Sequence, residues 1–163
     1  MERYSIGIIK PNAMRHCHEI LSIIEKRGLK VISHKIVHLD RRSLMKIYKE
    51  HVDKSFFQPF CNFMMSGECL AFIVRGNNAI EVLNELVGAT DPHEAKSGTL
   101  RNKFGHSIRE NAIHSSDDKK HFKRELKILF PEFVLEKPSE TRDKPSGFLF
   151  YIKTEIFSFY FLY

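Results

Sequence analysis

The chain has 163 residues, enough for one domain with a real core, and its 42% hydrophobic and 28% charged content is ordinary for a soluble globular protein. Its net charge of +6 all lies before Val134 and suits a polyanionic ligand, without choosing among nucleotide, nucleic acid and acidic lipid. Three cysteines without a CxxC pair argue against a disulfide framework or a structural zinc; the N-terminus lacks a signal-peptide core, and no apolar run reaches membrane-spanning length. A reducing cytosol is the simplest compartment, so a cytoplasmic location is expected.

Tyr4 to Lys10 reads as a buried strand stopped by Pro11. Ile20, Leu21 and Ile24 have helical spacing, and Gly28 closes that helix. Leu29 to Leu39 is rich in Val and Ile and reads as a second strand. Arg41 to His51 reads as a helix with Leu44, Ile47, Tyr48 and His51 on one side, and Phe56, Phe57, Phe60, Phe63 and Met64 form a further helical stripe. Cys69 to Val74 is a compact strand, and Ala79, Val82, Leu83 and Leu86 space a helix that ends at Gly88. Residues 88–110 are polar and read as a long loop, a length that is usually functional or disordered. A short strand follows, and then a helix from Asp117 to Leu129.

This order predicts an α+β fold, a ferredoxin-like βαββαβ sandwich with extra helices and a long active-site loop, the helices covering one face of an antiparallel sheet. Residues 1–134 form the predicted domain. Residues 135–163 read as a linker and an aromatic-rich tail of unknown role, too short and too charged to span a membrane.

His114 stands directly before Ser115, Ser116, Asp117 and Asp118, all of which favour a helix N-terminus, and Ser115 with Asp118 has capping-box spacing. A helix N-terminus collects anions, so His114 is expected at a phosphate position. An imidazole there acts as a nucleophile and carries a phosphoryl group covalently. With nine histidines in the chain, this signal is weak by itself.

Further segments give it weight. Ile8-Ile9-Lys10-Pro11-Asn12-Ala13, Phe56-Phe57, Met65-Ser66-Gly67, Gly88-Ala89-Thr90-Asp91-Pro92, Gly98-Thr99-Leu100-Arg101 and Asn111-Ala112-Ile113-His114 occur in this order. Together they resemble nucleoside diphosphate kinases over about residues 3 to 134. The resemblance implies ping-pong transfer of a terminal phosphate from a nucleoside triphosphate, ATP as donor, to a nucleoside diphosphate, through a phosphohistidine at His114. It matches Glu125 to the glutamate that orients the imidazole and Ser116 to the hydroxyl near it. Lys10 and Arg101 match phosphate-facing cations, and Thr90 a phosphate-binding hydroxyl. Asn111 with Lys10 matches the groups that meet the ribose 3′-hydroxyl. Phe56 matches the aromatic that stacks on the base, with Phe60 beside it. Magnesium (Mg2+) is implied as an ion carried by the nucleotide phosphates, without a dedicated protein cage. A homo-oligomer, tetramer or hexamer, is implied; no stable membrane or nucleic-acid partner is.

The chain departs from this pattern at several positions. Asn84 stands where the family usually has an arginine among its nucleotide-binding residues. Losing such a charge-assisted contact costs roughly 1.5–3 kcal/mol, an expected tenfold or greater loss in binding or transfer. Arg109 is a candidate to compensate. Ser115 replaces a small residue, usually glycine, and is strained there only if its φ is positive. Asn12 replaces an aspartate, and the following segment is shorter than usual. An alternative reading is therefore a weakened family member acting as a nucleotide-binding or regulatory module. A nucleic-acid-binding protein is a third reading, without a recognition motif to support it.

Overall fold

The computed structural model describes residues 3–135. The expectations for the aromatic tail fall outside them. Met1–Phe133 forms one compact unit, and the description below concerns it alone.

A four-stranded antiparallel sheet runs in the order β2-β3-β1-β4. β1 (Tyr4–Ile9) lies inside it, paired with β3 (Cys69–Arg75) on one side and β4 (Ile113–Ser115) on the other. Both inner strands are nearly continuous apolar runs because both sheet faces are covered. β2 (Lys30–Val37) is one edge strand and short β4 the other among the described residues; β2 is half-exposed along its length and bulged between Val31 and Ser33.

Side-chain alternation assigns the two faces. Ile6, Ile8, Ala71 and Ile73 face one core, closed by α2 (Arg41–Ile47), α3 (Phe57–Met64) and α6 (Lys119–Leu129). Ile9, Leu70, Phe72 and Val74 face the other, closed by α1 (Cys17–Lys26), α4 (Ala79–Val87) and α5 (Leu100–Phe104). The ferredoxin-like α+β class is thus observed, but the helices cover both faces rather than the single face expected. The additional helices bury the Ile6–Ile8 side, which would otherwise meet water. Gly7 lies opposite Phe72, whose ring occupies the space a Cβ would need, so the close approach of ring and backbone requires glycine here.

Three local expectations are corrected. The 88–110 segment is not all loop: α5 sits within it, burying Leu100 and Phe104. The helix expected over 41–51 ends at Ile47 and gives way to a 3₁₀ turn, Lys49–His51. Arg124 Nη2 donates to the Ile47 carbonyl at 2.8 Å and occupies an acceptor at the helix end. Ser115 forms no capping box, because it belongs to β4; Asp118 caps α6, accepting from the His121 backbone N–H at 2.8 Å. His114 therefore lies on a strand and not at a helix N-terminus.

Candidate active site

His114 lies opposite Ile8 in the β1–β4 ladder, so its side chain leaves the sheet on the face covered by α2, α3 and α6. There its Nε2 meets Oε1 of Glu125, from α6, at 2.8 Å. Glu125 is fully buried, and its Oε2 accepts from the Ser116 hydroxyl at 2.5 Å. Ser116 thus reaches the glutamate rather than the imidazole. A carboxylate can only accept here, so Nε2 carries the proton and Nδ1 keeps its lone pair. Nδ1 has no hydrogen-bond partner among the described residues. Tyr48 packs edge-on against the imidazole, with ring centroids 5.1 Å apart.

The histidine opens into a cleft of about 1360 Å³ that all the sequence-predicted site residues line except Ser116. Lys10 directly follows β1 and is almost completely buried. Its backbone N–H donates to the Ala112 carbonyl at 2.8 Å, and Ala112 is a buried non-glycine with φ of 69°. Strained backbone of this kind persists only where surrounding structure enforces it, and here it sits two residues before His114. Lys10 Nζ lies 5.1 Å from the Phe60 ring centroid and 3.4 Å from the Arg109 carbonyl, a weak contact. Burial, and next the charge of Arg101, pull the Lys10 pKa down to about 7. Arg101, on α5, donates to the carbonyls of Gly88 at 3.0 Å and Ile113 at 3.2 Å; burial lowers its pKa too. Neither side chain forms an ion pair with a carboxylate among the described residues: Arg101 supplies a lasting positive charge, and Lys10 a buried amine that an anionic ligand would keep charged.

The opposite wall is polar and aromatic. Asn111 is buried and donates through Nδ2 to the Thr90 carbonyl at 2.9 Å, while its Oδ1 has no partner. An orphaned buried acceptor beside a cleft calls for a ligand donor. Thr90 is exposed at the cleft wall. Phe56 does not belong to the apolar stripe of α3: it precedes the helix, 51% exposed at the cleft rim, free to stack. Phe60 instead is nearly buried, edge-on to Tyr48 with centroids 4.7 Å apart.

Asn84, on α4, does not present free polar atoms to the cleft. Its Oδ1 accepts from the Ser115 hydroxyl at 2.5 Å, and its Nδ2 donates to the Ser116 carbonyl at 3.0 Å. Ser115 is not among the residues with positive φ, so serine adds no left-handed strain. Arg109 also lines the cleft.

Sequence reasoning missed Tyr48, whose buried hydroxyl has no partner and whose pKa is raised by burial and by Glu125. Its helical spacing made it look like core. It also missed Arg124, which holds Glu50 through two bonds of 2.6 and 2.8 Å and pulls the Glu50 pKa down to about 2. That pair ties α6 to the turn after α2, and its partners lie too far apart in sequence to signal one another.

A family model described as nucleoside diphosphate kinase matches residues 3–135. The nucleoside diphosphate kinase of Kosmotoga olearia is 39% identical over 132 residues, covering 80% of this chain and 89% of that one. That of Sulfurisphaera tokodaii is 41% identical over 133 residues, covering 80% and 90%. Among solved structures, the apo enzyme of Encephalitozoon cuniculi aligns with a TM-score of 0.79 at 30% identity, covering 83% of this chain and 94% of that chain. The Halobacterium salinarum enzyme, in complex with CDP, aligns with a TM-score of 0.77 at 28% identity, covering 85% and 95%. With a matching model over most of its length and close relatives covered almost whole, the chain belongs to the nucleoside diphosphate kinase family.

Proposed function

We propose that this protein is a nucleoside diphosphate kinase that works through a phosphohistidine at His114. One observation carries the reading: His114 is bonded through Nε2 to buried Glu125, leaving Nδ1 unpartnered in a cleft that also holds Lys10 and Arg101, neither of them ion-paired among the described residues. Nδ1 attacks the terminal phosphorus of a nucleoside triphosphate. The bond to the bridging oxygen breaks, and its electron pair leaves with the diphosphate. The phosphorylated imidazole is cationic, and Glu125 stabilises that charge through Nε2–H. A terminal oxygen of an acceptor diphosphate then attacks the same phosphorus, returning the electron pair to Nδ1.

Lys10 and Arg101 offset the charge on the transferring phosphoryl group, with the Thr90 hydroxyl beside them. Asn111 Oδ1 and Lys10 receive the ribose 3′-hydroxyl. Phe56 stacks on the base without reading its edges, which favours broad base tolerance. Magnesium fits as an ion held mainly by the phosphates: of the carboxylates lining the cleft, Glu125 is held by His114 and Glu50 by Arg124, and Asp91, Glu110 and Asp117 form no ligand cluster among the described residues. When bound it screens phosphate charge. ATP as donor, a cytoplasmic setting and a tetrameric or hexameric assembly belong to the same proposal.

The weakened-module reading rests on Asn84, an uncharged side chain already engaged by Ser115 and Ser116. Single-turnover labelling with γ-labelled ATP and magnesium, chased with dGDP and dCDP, separates the two. The kinase reading expects an acid-labile label that leaves with both acceptors and is absent in His114→Ala. A folded protein that binds nucleotide but takes no label would sink it in favour of the module.

A further inference from the structure

Lys10 must carry its proton to hold a phosphate, yet most of its surroundings favour the neutral amine. Burial acts first and the guanidinium of Arg101 second, and together they pull its pKa down to about 7. Cys69, the first residue of β3, would favour the ammonium only as a thiolate, and burial pushes that thiol up to about 12. The Arg109 carbonyl lies 3.4 Å from Nζ, beyond the usual hydrogen-bond length. Among the described residues one favourable neighbour of the ammonium is left: the face of the Phe60 ring, its centroid 5.1 Å from Nζ.

That ring is fixed from several sides. Phe60 stands in the middle of α3 and is nearly buried. Its ring packs edge-on to Tyr48, with centroids 4.7 Å apart, and tilted against Phe57 at 6.3 Å. Tyr48 packs in turn against the His114 imidazole. His114, Tyr48, Phe60 and Lys10 thus form one packed run, drawn from four separate segments of the chain. A base can reach Phe56, half-exposed at the rim, but finds almost no surface on Phe60. Phe60 turns its face to Lys10 instead.

We propose that Phe60 is a positioning residue for Lys10: its ring face holds the ammonium charged and in place for a nucleotide phosphate. A ring face attracts a cation through its quadrupole, most strongly where water is excluded. A carboxylate would hold the lysine as well, but its charge would repel the incoming phosphates. The ring carries no net charge and leaves the full attraction of the ammonium to the ligand. A buried cation with no such neighbour sheds its proton more readily. What Lys10 then does in phosphate transfer rests on the kinase reading; the hold of Phe60 on Lys10 does not.

The test is the titration of Lys10 in the ligand-free, full-length protein, followed by carbon NMR of the lysine ε-carbons and assigned by the signal lost in Lys10→Gln. Beside the wild type stand Phe60→Leu, a protein with trifluorophenylalanine at position 60, and Phe57→Leu. The fluorinated ring keeps a near-native shape but loses most of its negative face. Phe57→Leu removes a neighbouring ring of the same helix and core. Lys10 is expected to titrate about one pH unit lower in Phe60→Leu, to shift the same way with the fluorinated ring, and to stay in place in Phe57→Leu. In Phe60→Leu the affinity for ADP should fall about tenfold at pH 8.5 and stay within about 1.5-fold at pH 5.5, because only at the higher pH must binding bring in the proton. A Lys10 titration that holds steady or rises in both position-60 proteins overturns the inference. So does an equal fall in Phe57→Leu, which would reduce the effect to packing. Should Phe60→Leu fold poorly, the fluorinated ring decides. Shifts of the expected size in a protein that takes no label at His114 support the hold of Phe60 on Lys10 while removing the kinase reading.

Discussion

At the scale of single residues, the site is built from groups held in unfavourable states. Lys10 is the clearest: its pKa of about 7 lies far below the ordinary 10.5, through burial first and Arg101 second. Between about pH 7 and 10.5 the unfolded chain holds a proton that the folded Lys10 lacks. This group therefore makes the ligand-free protein more stable as pH rises through that window, with its penalty complete below pH 7. Nucleotide phosphates reverse the balance by favouring the charged amine. Binding of ADP at pH 8 is expected to take up about 0.9 proton, because the free site is mostly neutral and the occupied one mostly charged. Calorimetry in buffers of different ionisation enthalpy measures this uptake. It should disappear in Lys10→Gln, and an unchanged uptake in that variant would move the proton to another group.

At the scale of elements, the functional strand β4 is only three residues long and is fixed by what packs on each face. His114 turns to α6 and bonds Glu125; Ser115 turns to α4 and bonds Asn84. The two departures at Asn84 and Ser115 are thus one contact, tying α4 to the strand that carries the nucleophile. A double-mutant cycle on Asn84→Ala and Ser115→Ala should give a coupling of about 1 kcal/mol in stability, the net worth of one partly buried hydrogen bond. Additive effects, read by denaturant unfolding, would mean that the two side chains act separately. Such a contact was not legible in the sequence, where both positions appear as unrelated losses. The strands, α4 and the Lys10, Asn111 and His114 segments were legible, since apolar periodicity and local motifs carry them. Tyr48, Arg124 and the second covered face were not. Each depends on partners dozens of residues away: Arg124 caps Ile47, and the break it accompanies turns Tyr48 toward His114.

At the scale of the whole molecule, the two core layers and the cleft close within Met1–Phe133. Both inner strands are paired on both edges, and His114, Glu125, Arg101 and Asn84 in the cleft stand on elements whose apolar residues are buried in that unit. Residues 136–163 add four basic and four acidic side chains, so they leave the net charge of +6 with the folded unit. Stability and chemistry are then expected to reside in the same 133 residues, with the aromatic segment contributing to neither. A chain ending at residue 135 should unfold cooperatively, with a melting temperature within about 3–4 °C of the full-length protein, the shift that about 1 kcal/mol produces in a domain of roughly this size. Its single-turnover transfer rate should match that of the full chain. Circular dichroism melting and rapid-quench kinetics on the two chains supply the comparison. A truncated chain that folds but loses transfer would mean that residues beyond 135 complete the site. One that fails to fold would mean that the two core layers do not suffice alone.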